Sequence, residues 1–240
     1  MANSLSGAIK KGDLDAVRTM IASGAELNPK DNYKAPLLDA VYKSDPAFVI
    51  MLAEAGANVR IRFADRSTLL HTPAQKGYTE VVQALLRFGA DVNARDGFGR
   101  SVLEFAVDAR SVETVRALLV RGADANVRND DGLTALMIAT VNQQDEMIDL
   151  LLEHGADPNR KDKEGRTALM WAATRGKVDI LQRLVAAGAD PSLKDKAKRT
   201  ALDHAQQKRR AAAVEYLSLL AAGGRGAAEP GPGAAADGGP

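Results

Sequence analysis

No cysteine occurs among the 240 residues, which excludes disulfides and Cys-ligated metal sites and suits a reducing compartment. Aromatic residues make up only 4%, so any cluster of them stands out. Charge of one sign is missing too: 32 Lys and Arg face 31 Asp and Glu, a balance that calls for neither nucleic acid nor a membrane surface. No apolar run approaches the ~20 residues of a membrane span. The opening stretch, MANSLSGAIKKGDLDAV, lacks the apolar run of a signal peptide. These absences lead to the expectation of a soluble, cytoplasmic, monomeric protein.

What is present is a repeated unit, clearest from Asp162 to Leu193. Glu164-Gly165 is a turn signal, since glycine accepts the positive φ of tight turns. Thr167 sits where a helix N-cap belongs, with its hydroxyl placed to accept an orphan backbone N–H. A small apolar helix follows (Ala168, Leu169, Trp171, Ala172, Ala173) and stops at Gly176. A second helix carries Val178, Leu181, Leu184 and Val185 on one face and ends at Gly188. Two short helices cannot bury that surface alone, so the unit needs neighbours.

The neighbours are in phase. Gly-Ala pairs begin at Gly24, Gly56, Gly89, Gly122, Gly155 and Gly188, at intervals of 32 and then 33 residues. Twelve residues after each of the last five glycines stands Thr68, Ser101, Thr134, Thr167 or Thr200. After Gly24 the interval is eleven and the position is Ala35, one residue short. A 33-residue period carrying T-x-L-x-x-A at fixed phase resembles the ankyrin repeat, and the resemblance covers about Leu5 to Leu217.

The resemblance implies an all-α solenoid of about seven helix-turn-helix repeats joined by short hairpin loops. Residues 1–28 form an N-terminal capping repeat, and 29–60, 61–94, 95–127, 128–160 and 161–193 five central ones. Residues 194–222 form a C-terminal cap, and the Gly/Ala/Pro-rich tail 223–240 reads as disordered. An end repeat has one face without a neighbour and must tolerate water there, as Lys10 and Lys11 do in the first and Gln206 to Arg210 in the last. Several positions depart from the pattern. Ser44 and Arg110 replace the glycine between the helices, and Pro73 stands where alanine is expected. A proline inside an ordinary helix costs ~3 kcal/mol, which makes the third repeat the expected weak link. Asp91, Asp124, Asp157 and Asp190 follow the Gly-Ala pairs. Asn28, Asn93, Asn126 and Asn159 come two positions after the Asp slot, with Arg60 and Ser192 breaking that series. Such short polar side chains are expected to bond local backbone and fix the turn.

Catalytic chemistry finds little support. Asp96, Asp162 and Asp195 share one repeat position at the hairpin start, and recurrence at one phase is explained by the turn. His71 matches the family histidine, which the resemblance implies to be structural, with its ring bonded to turn backbone. His154 and His204 lie on helices and suggest no metal. Ser101 mimics Thr at a cap. No phosphate-cradling glycine loop is present. The expectation is therefore no enzyme, no cofactor and no metal.

The resemblance implies instead that a concave groove and the projecting hairpin tips bind another protein. Tyr33, Phe63 and Phe98 put aromatics on three successive tips, beside Arg66 and Arg100, and these types are enriched at interface hot spots. Groove positions on the inner helices include Tyr42, Lys76, Asp108, Asn142 and Arg175. Phe105 and Trp171, after the family histidine slot, are read as packed between repeats. Three alternatives stand beside this reading. The last repeat, with Lys194, Lys196, Lys198, Arg199, Lys208, Arg209 and Arg210 against Asp195 and Asp203, suits an acidic partner or nucleic acid. A secreted effector acting on another cell's proteins would share the binding mechanism. So would an inhibitor of one enzyme.

Overall fold

A computed structural model describes residues 4–223. The expected tail from 224 onward lies outside the described residues. Among the described residues, fourteen α-helices in seven pairs make up the solenoid. The inner row is α1 (Leu5–Lys11), α3 (Pro36–Lys43), α5 (His71–Lys76), α7 (Val102–Asp108), α9 (Ala135–Val141), α11 (Ala168–Arg175) and α13 (Ala201–Gln207). The outer row is α2 (Leu14–Ala22), α4 (Pro46–Glu54), α6 (Thr79–Arg87), α8 (Val112–Val120), α10 (Asp145–Glu153), α12 (Val178–Ala186) and α14 (Ala211–Ala221). Each inner helix packs on its own outer helix and on the next inner one.

Small residues let the inner row approach closely: Ala40, Ala106, Ala139, Ala172 and Ala205 are buried in phase, and in the third repeat, where Pro73 holds that slot, the neighbouring Ala74 is buried. Leu70, Leu103, Leu136 and Leu169 fill the T-x-L slot beside them, and Val82, Leu85, Val115, Leu118, Leu151, Leu181 and Leu184 pack from the outer row. Each such side chain contributes about 1.5–3 kcal/mol when buried.

The caps hold in part. Ser101, Thr134 and Thr200 accept the N–H of Glu104, Met137 and Asp203. Thr167 has the extended conformation of an N-cap (φ −96°, ψ 170°) but makes no side-chain cap bond, contrary to expectation. Thr200 forms a full capping box with Asp203.

Pro73 behaves differently from the expectation. Helix α5 begins at His71, three residues after Thr68, whereas α7 begins directly after Ser101. The late start places Pro73 in the first turn, where a backbone N–H has no intrahelical partner to lose. The missing donor is absorbed by shortening the helix.

The residue between paired helices is left-handed in every repeat. Gly12, Gly77 and Gly176 hold φ of 82°, 70° and 75°, and Ser44, Arg110, Gln143 and Arg209 hold 59°, 57°, 55° and 53°. Four of the seven junctions therefore carry a side chain in a region that disfavours one.

The Asp and Asn series at the repeat ends divide the work. Asp91, Asp124 and Asp157 make the local turn, each accepting the N–H two residues on at 2.8–3.0 Å. The asparagines reach instead to the next repeat. Asn93, Asn126 and Asn159 donate to the carbonyls of Gly122, Gly155 and Gly188. Each also accepts the N–H of Asp124, Asp157 or Asp190, at 2.7–2.8 Å. The expectation of a purely local bond is thus corrected: each asparagine clamps two repeats together.

Candidate partner-binding surface

The hairpin tips are chained by main-chain hydrogen bonds. Gly97 donates to the Asp65 carbonyl at 2.7 Å, Asp130 to Phe98 at 3.1 Å, Lys163 to Asp131 at 3.1 Å and Lys196 to Glu164 at 2.9 Å. This closeness explains the tip glycines. A Cβ on Gly132, at φ 78°, would lie 2.6 Å from the Lys163 nitrogen. Arg66 occupies the corresponding slot at φ 63°, and there the following tip offers Gly97.

Within the hairpins of the fourth, sixth and seventh repeats one buried acid organises the loop, and Asn129 fills the same slot in the fifth, accepting the N–H groups of Asp131 and Leu133. Asp96 accepts the N–H groups of Phe98 and Arg100 and the Arg100 guanidinium, all near 2.9 Å. Asp162 does the same with Glu164 and Arg166, and also accepts from the Trp171 indole at 3.3 Å. Asp195 holds Arg199 and meets His204 Nε2 at 2.9 Å. Desolvation of the Asp195 carboxyl, which would raise its pKa, is outweighed by the bonds from Arg199 and His204, which hold it at about 2. These three acids are the turn's framework, and none is free to act on a ligand.

His71 is fixed likewise. Its Nδ1 accepts the Thr68 N–H at 2.9 Å, and the ring meets Phe105 edge-on at 5.1 Å. Desolvation keeps its pKa below the ordinary value, against the pull of Asp96. The Nδ1 bond leaves the neutral ring's proton on Nε2. Among the described residues no group of three His, Cys, Asp or Glu side chains is placed to hold a metal.

Four of the five expected tip residues fall into two pairs, and the fifth, Arg66, is exposed and belongs to neither. Tyr33, on a short 3₁₀ turn (Asn32–Lys34), stacks obliquely on Phe63 with centroids 5.1 Å apart. Tyr33 is 62% exposed while Phe63 is half-buried. Phe98 is 68% exposed, with the Arg100 guanidinium 5.6 Å from its ring centre. Arg100 is less a contact residue than a strut, since it pairs with buried Asp96 and lies 4.3 Å over the ring of Phe105. Arg166 lies in the same way 4.0 Å over Trp171. Phe105 is buried and Trp171 half-buried, as read from the sequence.

The groove residues are spaced one per repeat. Tyr42 is 61% exposed, and Lys76, Asp108 and Arg175 are exposed. Asn142 is half-buried, and its carbonyl accepts from Arg110.

Two features escaped the sequence reading. Glu104 is buried on α7 and accepts from Asn129 at 2.8 Å. Desolvation raises its pKa to about 7, aided by Asp108 and Asp96 and opposed by the Asn129 bond and Arg100. Desolvation likewise raises Asp108, against Arg100. The second feature is basic: Arg62, Arg95, Arg128, Lys161 and Lys194 stand at the same phase, directly before each hairpin. Their 33-residue spacing was the available signal. The cluster expected in the last repeat is divided by the fold. Lys194 and Lys196 line the hairpin cleft; Arg199 is paired with Asp195; Arg210 bonds the Thr174 carbonyl.

This architecture is that of an ankyrin-repeat solenoid. The profile of the family described as "Ankyrin repeats (3 copies)" matches residues 5–96, 70–162, 103–195 and 158–223, and the chain belongs to that family. It is similar to a solved structure described as the ankyrin repeat domain of Bcl-3, a unique member of the IkappaB protein family. The TM-score is 0.79 and the identity 33%, over 88% of this chain and 96% of that one. It is also 32% identical over 86 residues to the mouse (Mus musculus) B-cell lymphoma 3 protein homolog. Over 97 residues it is 40% identical to zygote-specific protein 3 of Chlamydomonas reinhardtii. These matches take in 35% and 40% of this chain and span 19% and 26% of the two relatives. No described helix is long and apolar enough to cross a membrane.

Proposed function

We propose that the chain is a non-catalytic protein-protein interaction module that binds a partner protein through the tips and groove of its second to fourth repeats. The observation that carries this reading is the exposure of large aromatics there. Tyr33, Tyr42 and Phe98 are all more than 60% exposed, in a chain with 4% aromatics. Aromatic anchors dominate interface energetics, and a preformed surface loses little ordering entropy on association. Membership of the ankyrin family supports the same conclusion. The role as scaffold, adaptor, inhibitor or secreted effector turns on the partner, and the cytoplasm is the compartment proposed.

The test is affinity capture from a lysate of the source cell, comparing the intact chain with a Tyr33→Ala/Tyr42→Ala/Phe98→Ala variant. Phe63 and Arg100 are left intact because the first packs beneath Tyr33 and the second braces Asp96. A partner retained by the intact chain should fall at least about tenfold on the variant, the loss of a hot spot, with the helical circular dichroism unchanged. Equal retention by both would defeat the reading.

A further inference from the structure

Three of the in-phase cations, Arg128, Lys161 and Lys194, meet at the C-terminal end of the hairpin edge. A cleft of about 500 Å³ between the hairpins of the fifth, sixth and seventh repeats is lined by Arg128, Lys161, Lys163, Lys194 and Lys196. Two acids also line it, Asp162 and Asp195, but their carboxylates are buried and already bound to Arg166 and Arg199. None of the five cations takes part in an ion pair among the described residues. Two of them are positioned from within: the Lys161 amine donates to the Lys194 carbonyl at 3.0 Å, and the Arg128 guanidinium lies against the Gly132 turn. Positive charge thus gathers along a shallow, open depression, without the counter-charge that Arg100, Arg166 and Arg199 possess.

We propose that this cleft receives an extended acidic segment of a partner protein, with its Asp or Glu carboxylates meeting the cations of successive repeats. The proposal deepens the interaction-module reading and rests on it. Arg128, Lys161 and Lys194 rise at one cation per repeat with Lys163 and Lys196 beside the last two, so the ladder matches carboxylates spaced along a strand-like peptide rather than a single anion. A nucleic acid fits less well. No aromatic side chain lines the cleft to stack a base, and exposed Asp131 and Glu164 stand on the adjoining tips, where they would repel a continuous phosphate chain.

The experiment is fluorescence anisotropy of a labelled peptide alternating Glu and Ser, titrated with the full chain at low salt. Three proteins are compared: the intact chain, Lys163→Gln/Lys194→Gln/Lys196→Gln, and Lys11→Gln/Lys208→Gln/Arg209→Gln, which removes equal charge elsewhere. The expected result is saturable binding that weakens at least about tenfold in the first variant, as for close charge pairs, and within about twofold in the second. Absence of binding to the intact chain overturns the proposal. So does an equal loss in both variants, which would mean diffuse attraction. Tighter binding of a single-stranded oligonucleotide of matching charge, lost in the same variant, overturns it in favour of nucleic acid. A partner captured through the aromatic tips, together with a failed peptide titration, would defeat this proposal alone. A bound peptide with no aromatic-dependent capture would defeat the tip reading and leave this one standing.

Discussion

Glu104 stands at the fourth position of the inner-helix motif and is 95% covered, with a relative exposure of 5%. One hydrogen bond, from Asn129, does not replace the water a carboxylate loses. Its pKa therefore rises from 4.5 to about 7, with desolvation the leading cause. The consequence for stability follows from proton linkage. Below pH ~4.5 the group is protonated in both the folded and unfolded chain and has no effect. Between 4.5 and 7 the unfolded chain releases the proton first, so folding becomes less favourable as pH rises. Above 7 the folded group ionises as well and the penalty levels off at about 3 kcal/mol. Glu104→Gln keeps an acceptor for Asn129 without the charge. The expected outcome is a variant more stable at pH 8 by about 2–3 kcal/mol, nearly matched to the parent at pH 4.5. Urea melts at those two pH values measure it, and a gain that is equal at both would refute the ionisation argument.

Between paired helices the backbone must turn through the left-handed region, and four repeats do so without glycine. The strain is about 1–2 kcal/mol at each non-glycine residue. Gln143 offers a clean test, because it holds φ 55° and is exposed, whereas Arg110 reaches the Asn142 carbonyl. Gln143→Gly should stabilise the chain by about 0.5–1 kcal/mol, the strain relieved less the added unfolded-chain entropy, read as a shift in urea midpoint at constant slope. At this scale much was legible in the sequence. The Gly-Ala period placed the outer-helix ends from α2 to α12, and Ser101, Thr134, Thr167 and Thr200 marked the starts of α7, α9, α11 and α13. Features set by a neighbour were not. The Asn93 side chain looks like a local turn-former until its partners, 29 and 31 residues away, are seen. Arg100 reads as a free tip cation until buried Asp96 is seen beneath it. Pro73 reads as a defect because the sequence does not show that α5 starts late. Periodicity reveals that a residue recurs; it does not reveal which repeat the side chain reaches.

In a solenoid, stability is approximately a sum of repeat and nearest-neighbour terms, so the weakest junction decides where the molecule opens. The junction between the second and third repeats lacks two couplings found further along. From the third repeat to the seventh, tips are linked by main-chain bonds, whereas the second joins the third through side chains: Asn32 donates to the Arg62 carbonyl at 3.0 Å and Tyr33 stacks on Phe63. Nor is the end-of-repeat clamp complete there. Arg60 fills the asparagine slot and donates to the Gly89 carbonyl at 3.0 Å, but a guanidinium cannot accept, so it offers nothing to the Asp91 N–H. Asn93, Asn126 and Asn159 satisfy both groups. The first two repeats should therefore open as a unit before the rest. Native-state hydrogen exchange is expected to show α1 to α4 exchanging through a sub-global opening, at a lower free energy than α7 to α12. Arg60→Asn supplies the missing acceptor while keeping a donor for Gly89. It should stabilise the junction by about 1 kcal/mol, the net worth of one hydrogen bond, and slow exchange in α1 to α4 about fivefold with little change in α7 to α12. A uniform slowing along the chain would mean that the repeats open together. No change in α1 to α4 would mean that the clamp does not limit the junction. Either result would count against an opening set by the incomplete clamp at Arg60.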